Sequence, residues 1–299
     1  MDVSQYNEAE TKETKRKIKA ERENELKQKA LELKIDMTDT EIRYFETAQE
    51  KGASSWLSAL PLKRMGYTLN KQEFRDAICL RYGWEIKGVP KDCSCGSKND
   101  LGYALICHKG GFVNMRHDIV RNTQAKLMEK VCRDVQTEPG LMPVNPENFR
   151  QGVNCAPNAR LDISARGVFG DADKTFFDIR VTHPNCPSFR TKSLEQIYKQ
   201  NENEKKNLYN ERILNAEKGS FVPLIFTTSG GMGPECVKLN KRVAEKTAEK
   251  TKDIYSQVMM HIRTRLRFAL LKSTLVGLRG FRGRTRRSLQ ESKRIFNTA

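Results

Sequence analysis

The sequence predicts an α/β protein whose core, a mixed sheet flanked by helices, spans residues 121–276. Between residues 159 and 276 the chain reads strand, strand, helix, strand, helix, an order typical of α/β cores. The run Phe176–Val181 is apolar at alternate positions, as in a strand with one buried face. Helix signals dominate the chain before residue 90, so we also expect a helical N-terminal region beside this core.

The net charge of the chain indicates what kind of partner it binds. It has 299 residues and a formal net charge of +17, room for one compact domain of about 150 residues with appendages. So large a positive excess favours nucleic acid, DNA or RNA, as the partner. No uninterrupted apolar run approaches the ~20 residues of a membrane span, so we expect no membrane partner. Because no signal-peptide pattern opens the chain, its eight cysteines are expected as free thiols or metal ligands in a reducing compartment.

Two charged segments flank the rest of the chain, an arm at 1–35 and a basic tail at 277–299. The arm has the composition of a solvated helix or of a disordered segment. Its cluster Lys15–Lys19 is either a solvated charge run or a patch that contacts phosphate or directs nuclear import. The tail segment Arg279–Arg287 combines arginine, glycine and one aromatic residue, which suits binding to phosphates. These basic clusters predict a nuclear location.

A small helical subdomain is expected at 36–90. Thr38 or Thr40 can cap its first helix, and Asn70 with Glu73 three residues later marks another helix start of the capping-box type. No catalytic signal appears there. The residues expected to bury its apolar surface are Trp56, Leu57, Leu60, Leu62, Met65, Phe74, Ile78 and Leu80.

Residues 91–120 form a Cys/His module that resembles a zinc knuckle. Cys93, Cys95 and Cys107 lie close together in sequence, and thiolates with imidazole are the ligands of structural zinc sites. We predict these three as Zn²⁺ ligands, with His117 ahead of His108 as the fourth. The alternative is a loop with unpaired cysteines and a helix-capping histidine. The other cysteines are interpreted as small buried residues.

Asp162 and Asp178 are the strongest candidates for catalysis. Each lies within a short apolar run, and a carboxylate there is costly to bury without a partner such as a metal. The segment between the two runs is rich in turn residues, which predicts an antiparallel hairpin that brings both carboxylates to one side of the sheet. Leu161 and Ile163 are expected on the opposite face. Such oxygen ligands suit Mg²⁺ or Mn²⁺, which can activate water and stabilise charge on a phosphate.

A long helix is predicted to begin with a capping box at Ser193 and to run to about Ala216. Lys205 falls on its apolar face, where an ammonium group can reach a phosphate or a metal-bound water. Lys206 lies nearer the edge of that face. The alternative for Lys205 is a side chain that covers aromatic rings while its charge stays in water.

The glycine-rich turn at 227–233 follows a further apolar strand, and it lacks the Gly-Lys-Ser/Thr ending of a nucleotide-binding P-loop. We therefore do not expect nucleotide hydrolysis. From Lys241 to about Val276 the chain has the amphipathic pattern of core helices.

The order of these features resembles the C-terminal region of non-LTR retrotransposon polyproteins, whose restriction-like endonuclease belongs to the PD-(D/E)XK superfamily. The resemblance covers roughly residues 50–280. It rests on the Cys/His knuckle, a buried Asp, a second Asp in an F-D-x-R-V strand and a Lys/Tyr helix, with Gly111–His117 and Tyr209–Ile213 among its segments. It implies a restriction-endonuclease-like core and a Mg²⁺- or Mn²⁺-dependent DNA endonuclease. The chain has no reverse-transcriptase motif, so a reverse transcriptase acting in trans is an implied partner.

Carried onto this sequence, the resemblance gives Asp162 and Asp178 as metal ligands. Arg180 stands where the superfamily commonly has lysine; it can stabilise phosphate charge but cannot act as a base. The lysine of the retrotransposon subgroup comes from the following helix, which implicates Lys205, with Lys206 as alternate. Tyr103 replaces the histidine expected in the knuckle. Two alternatives stay open: an inactive nucleic-acid-binding derivative of this fold, and a scaffolding protein whose arms bind acidic partners.

Overall fold

The computed structural model describes residues 8–280, and the predicted basic tail from residue 281 onward lies outside the described part. The chain divides into two units, Met1–Arg43 and Tyr44–Ala299. The first contains helix α1, Glu8–Lys34, and the start of α2, Asp39–Gln49. Thr38 and Glu41 cap the start of α2 reciprocally, the Thr38 N–H donating to Glu41 Oε2 at 2.9 Å, as predicted for Thr38.

The second unit contains one sheet and seven further helices among its described residues. The strands are β1 Arg133–Thr137, β2 Ile163–Arg166, β3 Lys174–Thr182 and β4 Ser220–Thr227. The helices are α3 Ser55–Ser58, α4 Lys71–Tyr82, α5 Leu101–Ile106, α6 Phe112–Met128, α7 Leu194–Arg212, α8 Pro234–Thr251 and α9 Tyr255–Arg279. A π turn, Ile213–Glu217, continues α7. None of the described helices is long and apolar enough to cross a membrane.

The four strands lie in the order β1-β2-β3-β4. The first three are antiparallel neighbours, whereas β4 runs parallel to β3. The hairpin of β2 and β3 therefore forms as predicted, with Ile163 opposite Phe177. Pro223 lies inside β4, which is tolerated because β4 is an edge strand and the missing N–H breaks no central ladder. The coarse class, a mixed sheet flanked by helices, is confirmed.

Two apolar layers cover the sheet. On one face, Phe177, Ile179 and Val181 of β3 pack with side chains of α6, α8 and α9, which confirms the predicted face of this strand. On the other, Phe176 packs with Leu141, Leu161, Ile213 and Phe221. The prediction that Leu161 and Ile163 share a face is wrong: β2 begins only at Ile163, so strand alternation does not extend back to Leu161.

The helical segment around α3 and α4 packs against the C-terminal half of α9. Trp56 and Leu80 are buried there with Phe268 and Leu271. The capping box of Asn70 and Glu73 is present at the start of α4. Four residues predicted for this core are exposed instead: Leu57, Leu60, Leu62 and Phe74.

The start of the predicted basic tail belongs to α9, which ends at Arg279. Its guanidinium donates to both carboxylate oxygens of Asp76 on α4, the Nη2–Oδ1 distance being 2.8 Å. Arg279 is therefore engaged in packing the helical segment, and its role as a phosphate contact stays a prediction.

Candidate functional site

The β2–β3 hairpin places Asp162 beside Asp178. Asp162 directly precedes β2, and its N–H donates to the carbonyl of Phe177 at 3.1 Å. Asp178 lies in the middle of β3 and is only 6% exposed. Antiparallel pairing thus brings the two predicted carboxylates together, as the turn-rich segment between them predicted.

The carboxylate of Asp162 is held by a main-chain group and a histidine. Its Oδ2 accepts a hydrogen bond from the N–H of Ile179 at 2.6 Å. Nε2 of His117, on α6, lies 3.2 Å from the same oxygen and 3.1 Å from the carbonyl of Ile179. Because the N–H of Ile179 and the ring of His117 converge on Oδ2, the orientation of this carboxylate is fixed.

The predicted role of His117 as a zinc ligand is therefore wrong. It lies one to two turns into α6 and faces the sheet, apart from the cluster formed by Cys93, Cys95 and Cys107. Burial alone would lower the pKa of His117. The hydrogen bonds and negative charges of Asp162 and Asp118 together outweigh burial, so the pKa is raised above its ordinary value. The ring beside the carboxylate pair is therefore protonated more readily than a free imidazole.

Lys205 of α7 forms an ion pair with Asp178. Its ammonium also lies 5.9 Å from the ring centroid of Tyr209. The alternative of a lysine whose charge stays in water is met only in its aromatic contact, because this charge is paired with a buried carboxylate. Burial raises the pKa of Asp178, with a smaller opposing effect from Lys205 and a further increase from the charge of Asp162. Oδ2 of Asp178 contacts the ammonium but accepts no hydrogen bond of regular geometry.

Arg180 and Lys206 point to other partners. Nη1 of Arg180 donates to Glu204 Oε2 at 2.6 Å and to Asn201 Oδ1 at 2.8 Å, both on α7. Lys206 Nζ lies 2.5 Å from Glu235 Oε1 at the start of α8. Lys206 is therefore not the alternate to Lys205 in this arrangement, because the next position on a helix points about 100° away.

The two carboxylates fit the ligand set of a magnesium-type ion in part. Mg²⁺ is commonly held by one or two carboxylates, with the rest of its shell from water and substrate phosphate. Asp162 and Asp178 supply that number, but Oδ2 of Asp178 is already paired with the ammonium of Lys205. Within the described residues, no third His, Cys, Asp or Glu lies close enough to both carboxylates to share a metal ion with them.

Cys93, Cys95 and Cys107 form the one metal-type group found in residues 8–280, with their sulfur atoms all within 4.8 Å of one another. The cluster could hold a metal ion. The Cys93–Cys107 and Cys95–Cys107 sulfur distances are 3.6 and 4.0 Å. Tetrahedral coordination at a Zn–S distance of about 2.3 Å requires about 3.8 Å between sulfurs. These two sulfur separations are close to that value, so the cluster is compatible with a zinc-type ion.

A turn and a short helix bring these cysteines together. Gly96 has φ +92° in the turn between Cys93 and Ser97, a conformation that favours glycine. Cys107 follows the end of α5. The hydroxyl of Tyr103 lies 2.8 Å from the Cys95 sulfur, and this hydrogen bond lowers the pKa of Cys95 to about 6. A thiolate at neutral pH is the form that binds metal.

The predictions missed that His117 belongs to the carboxylate pair. It lies 45 residues from Asp162 along the chain, and its closeness to Cys107 in sequence was the only available signal. They also missed a buried polar group around Glu50, which accepts hydrogen bonds from Tyr198 and Thr227. A charged residue at the end of an amphipathic helix gives no sign of burial.

The chain matches no protein-family model and no curated protein with which it was compared. The grouping of Asp162, Asp178, Lys205 and His117 is accordingly the feature on which a functional proposal rests.

Proposed function

We propose that this chain is a divalent-metal-dependent DNA endonuclease that resembles the restriction-like enzymes of non-LTR retrotransposons. One observation carries the proposal: Asp162, Asp178 and Lys205 come from a hairpin and a later helix, yet meet at one place. Burying two carboxylates there is costly unless the site has a function that needs them. A strongly basic chain supplies the affinity for a polyanionic substrate.

Each residue has a proposed role. Asp162 and Asp178 would hold Mg²⁺ or Mn²⁺, which when bound lowers the pKa of a water and offsets charge on the phosphate. Lys205 shifts from Asp178 toward the substrate phosphate and stabilises its added negative charge. His117 keeps the Asp162 carboxylate in place through the contact at Oδ2. Arg180, which is paired with Glu204, would position α7 on the sheet.

The test is nicking of supercoiled plasmid in Mg²⁺, Mn²⁺ or EDTA. We expect Asp162→Asn and Asp178→Asn to reduce nicking at least 100-fold while DNA binding, measured by fluorescence anisotropy at several salt concentrations, stays within about twofold. Asp171→Asn is the matched control, because the Asp171 side chain is 99% exposed in a turn of the same hairpin. Equal nicking by all three variants and the parent would refute the site.

A second candidate is a nucleic-acid-binding protein that has lost catalysis. The observation in its favour is that the ammonium of Lys205 already contacts Asp178, which leaves this carboxylate neutralised without a metal. Salt-sensitive DNA binding by the parent without metal-dependent nicking would favour this candidate. The double variant Asp162→Asn/Asp178→Asn would then bind DNA at least as tightly as the parent, since it removes two negative charges.

We also propose Zn²⁺ as the ion of the cysteine cluster, with Cys93, Cys95 and Cys107 as thiolate ligands. We expect about one zinc per chain by elemental analysis of protein purified without chelator. Cys95→Ser should lower this content severalfold. Cys155→Ser, at a partly buried cysteine outside the cluster, should leave it unchanged. A zinc content near zero in the parent would refute the assignment.

A further inference from the structure

Arg267 is a buried cation that forms no ion pair within the described residues, although the charge of Glu50 lies near enough to act on it. It lies in the middle of α9 and is 4% exposed. Its Nε and Nη1 groups are buried and donate hydrogen bonds to no group in the described part of the chain. None of the ion pairs between residues 8 and 280 includes it. A guanidinium in this state is costly, since buried charges in proteins are nearly always paired.

Arg267 lines a small cavity at the ends of β3 and β4. Arg81 of α4 lines it as well, as do His183 and Thr228, which follow the two strands. The volume of the cavity is about 20 Å³. Roughly 10–15 Å³ is enough for one ordered water, whereas pockets for drug-sized ligands measure about 300–1,000 Å³. The cavity thus suits a water or one small ion and excludes a nucleotide.

The unpaired buried polar atoms at the cavity include three arginine donors, Nε and Nη1 of Arg267 and Nε of Arg81. Oδ1 of Asn185, which is an acceptor, also has no partner there in the described part of the chain. Nη1 of Arg81 donates to the carbonyl of Ala48 and to the Ser54 hydroxyl, while its buried Nε has no partner in the described residues. Nδ1 of His183 lies 2.8 Å from the Thr228 hydroxyl, and its buried Nε2 is unpaired within the same part of the chain. Arginine N–H groups can only donate, so their partner must be an acceptor.

The charge balance also favours an anion. Burial lowers the pKa of Arg267 to about 9, with a further decrease from Arg81 and an opposing effect of Glu50, so the guanidinium remains charged at pH 7. Burial lowers the pKa of His183 to about 3, with a further decrease from the charge of Arg116, so this ring is neutral at pH 7. Glu50 is the nearest acidic group, but its oxygens accept hydrogen bonds from Tyr198 and Thr227, and it does not line the cavity.

We propose that the cavity binds one small inorganic anion of the size and charge of chloride, held chiefly by Arg267 and Arg81. The anion adds a negative charge in direct contact with the guanidinium, which Glu50 does not provide, and accepts the hydrogen bonds that the N–H groups of Arg267 do not otherwise make. It would stabilise the junction of α4, α9 and the loop after β4, because these elements contribute the lining. The site is separate from Asp162 and Asp178 and does not depend on the proposed nuclease activity.

The test compares thermal unfolding in sodium chloride and in sodium gluconate at equal ionic strength, so that general screening of the basic chain is constant. We expect the Tm of the parent to rise with chloride by several degrees and then to saturate, as a ligand of the folded state requires. Arg267→Met should abolish this response. Arg75→Met, which removes the same charge from an exposed position of α4, should retain it.

Bromide provides a second measurement on the unaltered protein, in case Arg267→Met does not fold. Crystals soaked in sodium bromide should show one anomalous peak in contact with the guanidinium of Arg267. Equal Tm values in chloride and gluconate together with no bromide peak at this position would overturn the proposal, and would assign the cavity to ordered water.

Discussion

The ion pair between Lys205 and Asp178 can be tested by removing its cation. Asp178 is 6% exposed, and Lys205→Met keeps a long unbranched side chain while it removes the charge. In this variant Asp178 can stay ionised without a counter-charge, at a cost of about 3–5 kcal/mol. It can also take up a proton, since burial already raises its pKa and loss of Lys205 removes an opposing effect.

Protonation of Asp178 sets an upper limit on the stability that Lys205→Met can lose, and this limit depends on pH. Its cost is about 1.36 kcal/mol for each unit by which the pH exceeds the pKa of the unfolded carboxyl group, which is 3.8. The limit is therefore about 4.4 kcal/mol at pH 7 and about 1.6 kcal/mol at pH 5. The sign follows from the raised pKa: the neutral carboxyl group is favoured at low pH, and the penalty grows as pH rises. We expect Lys205→Met to lose about 3–4 kcal/mol at pH 7 and less than about 2 kcal/mol at pH 5.

Urea unfolding of the parent and of Lys205→Met at both pH values measures these free energies. Lys199→Met is the matched control, because Lys199 is an exposed lysine of the same helix, and its loss should be within about 0.5 kcal/mol. Adding Asp178→Asn to Lys205→Met should restore most of the stability at pH 7, since no charge is then buried. A loss below about 1 kcal/mol at pH 7, or an equal loss at both pH values, would refute the reasoning.

Three further predictions concern other contacts. Because the pKa of His117 is raised in the folded protein, its contacts with carboxylates stabilise the fold fully below pH 6.5 and lose this effect as pH rises through the raised pKa. We expect the parent to be about 1–2 kcal/mol more stable than His117→Asn in urea unfolding at low pH, with the difference disappearing at higher pH. A difference that does not depend on pH would contradict this. Arg279→Met leaves buried Asp76 without its cation, so we expect a loss of about 3–5 kcal/mol, largely restored when Asp76→Asn is added; no restoration would mean that packing, not charge, is lost. A Cβ at Gly231 would clash with both carboxylate oxygens of Glu50, so Gly231→Ala should lower the free energy of unfolding by about 1–3 kcal/mol. Adding Glu50→Ala should recover part of this loss, whereas strictly additive losses of the two variants would rule out the clash.

Local patterns in the sequence were enough to predict several parts of the fold and the site. Ser193 and Asn70 start their helices with capping boxes because the required partners lie three residues away. The hairpin followed from a turn-rich segment between two apolar runs, and it fixed the relation of Asp162 to Asp178. The inward position of Lys205 followed from the period of its helix. Each of these depends on contacts between residues that are close in sequence or paired by one turn.

Features that depend on packing between distant segments could not be predicted in the same way. His117 meets Asp162 across 45 residues, and nothing in its own segment indicates which strands of the sheet α6 will cover. Arg267 occurs in a helix with arginines at several positions, so its burial depends on where α4 and the loop after β4 pack. Phe74 has the composition of a core residue but lies on the exposed side of α4. The physical reason is that burial is set by the neighbouring elements, which a local pattern does not specify.

The site also has a consequence for how α7 lies on the sheet. Asp178 and Arg180 share one face of β3 and carry opposite charges. On α7, the cation Lys205 pairs with Asp178 and the anion Glu204 pairs with Arg180. Sliding α7 along β3 by one helical turn would separate both pairs and leave the buried carboxylate of Asp178 uncompensated, at a cost of about 3–5 kcal/mol. The same contacts that bring the ammonium of Lys205 to the carboxylates therefore fix the register of the helix that carries it. Arg180 is less buried than Asp178, so its ion pair with Glu204 contributes less free energy than the pair of Asp178 with Lys205. Both pairs require the same turn of α7 to face the strand, and this is the turn that carries Lys205.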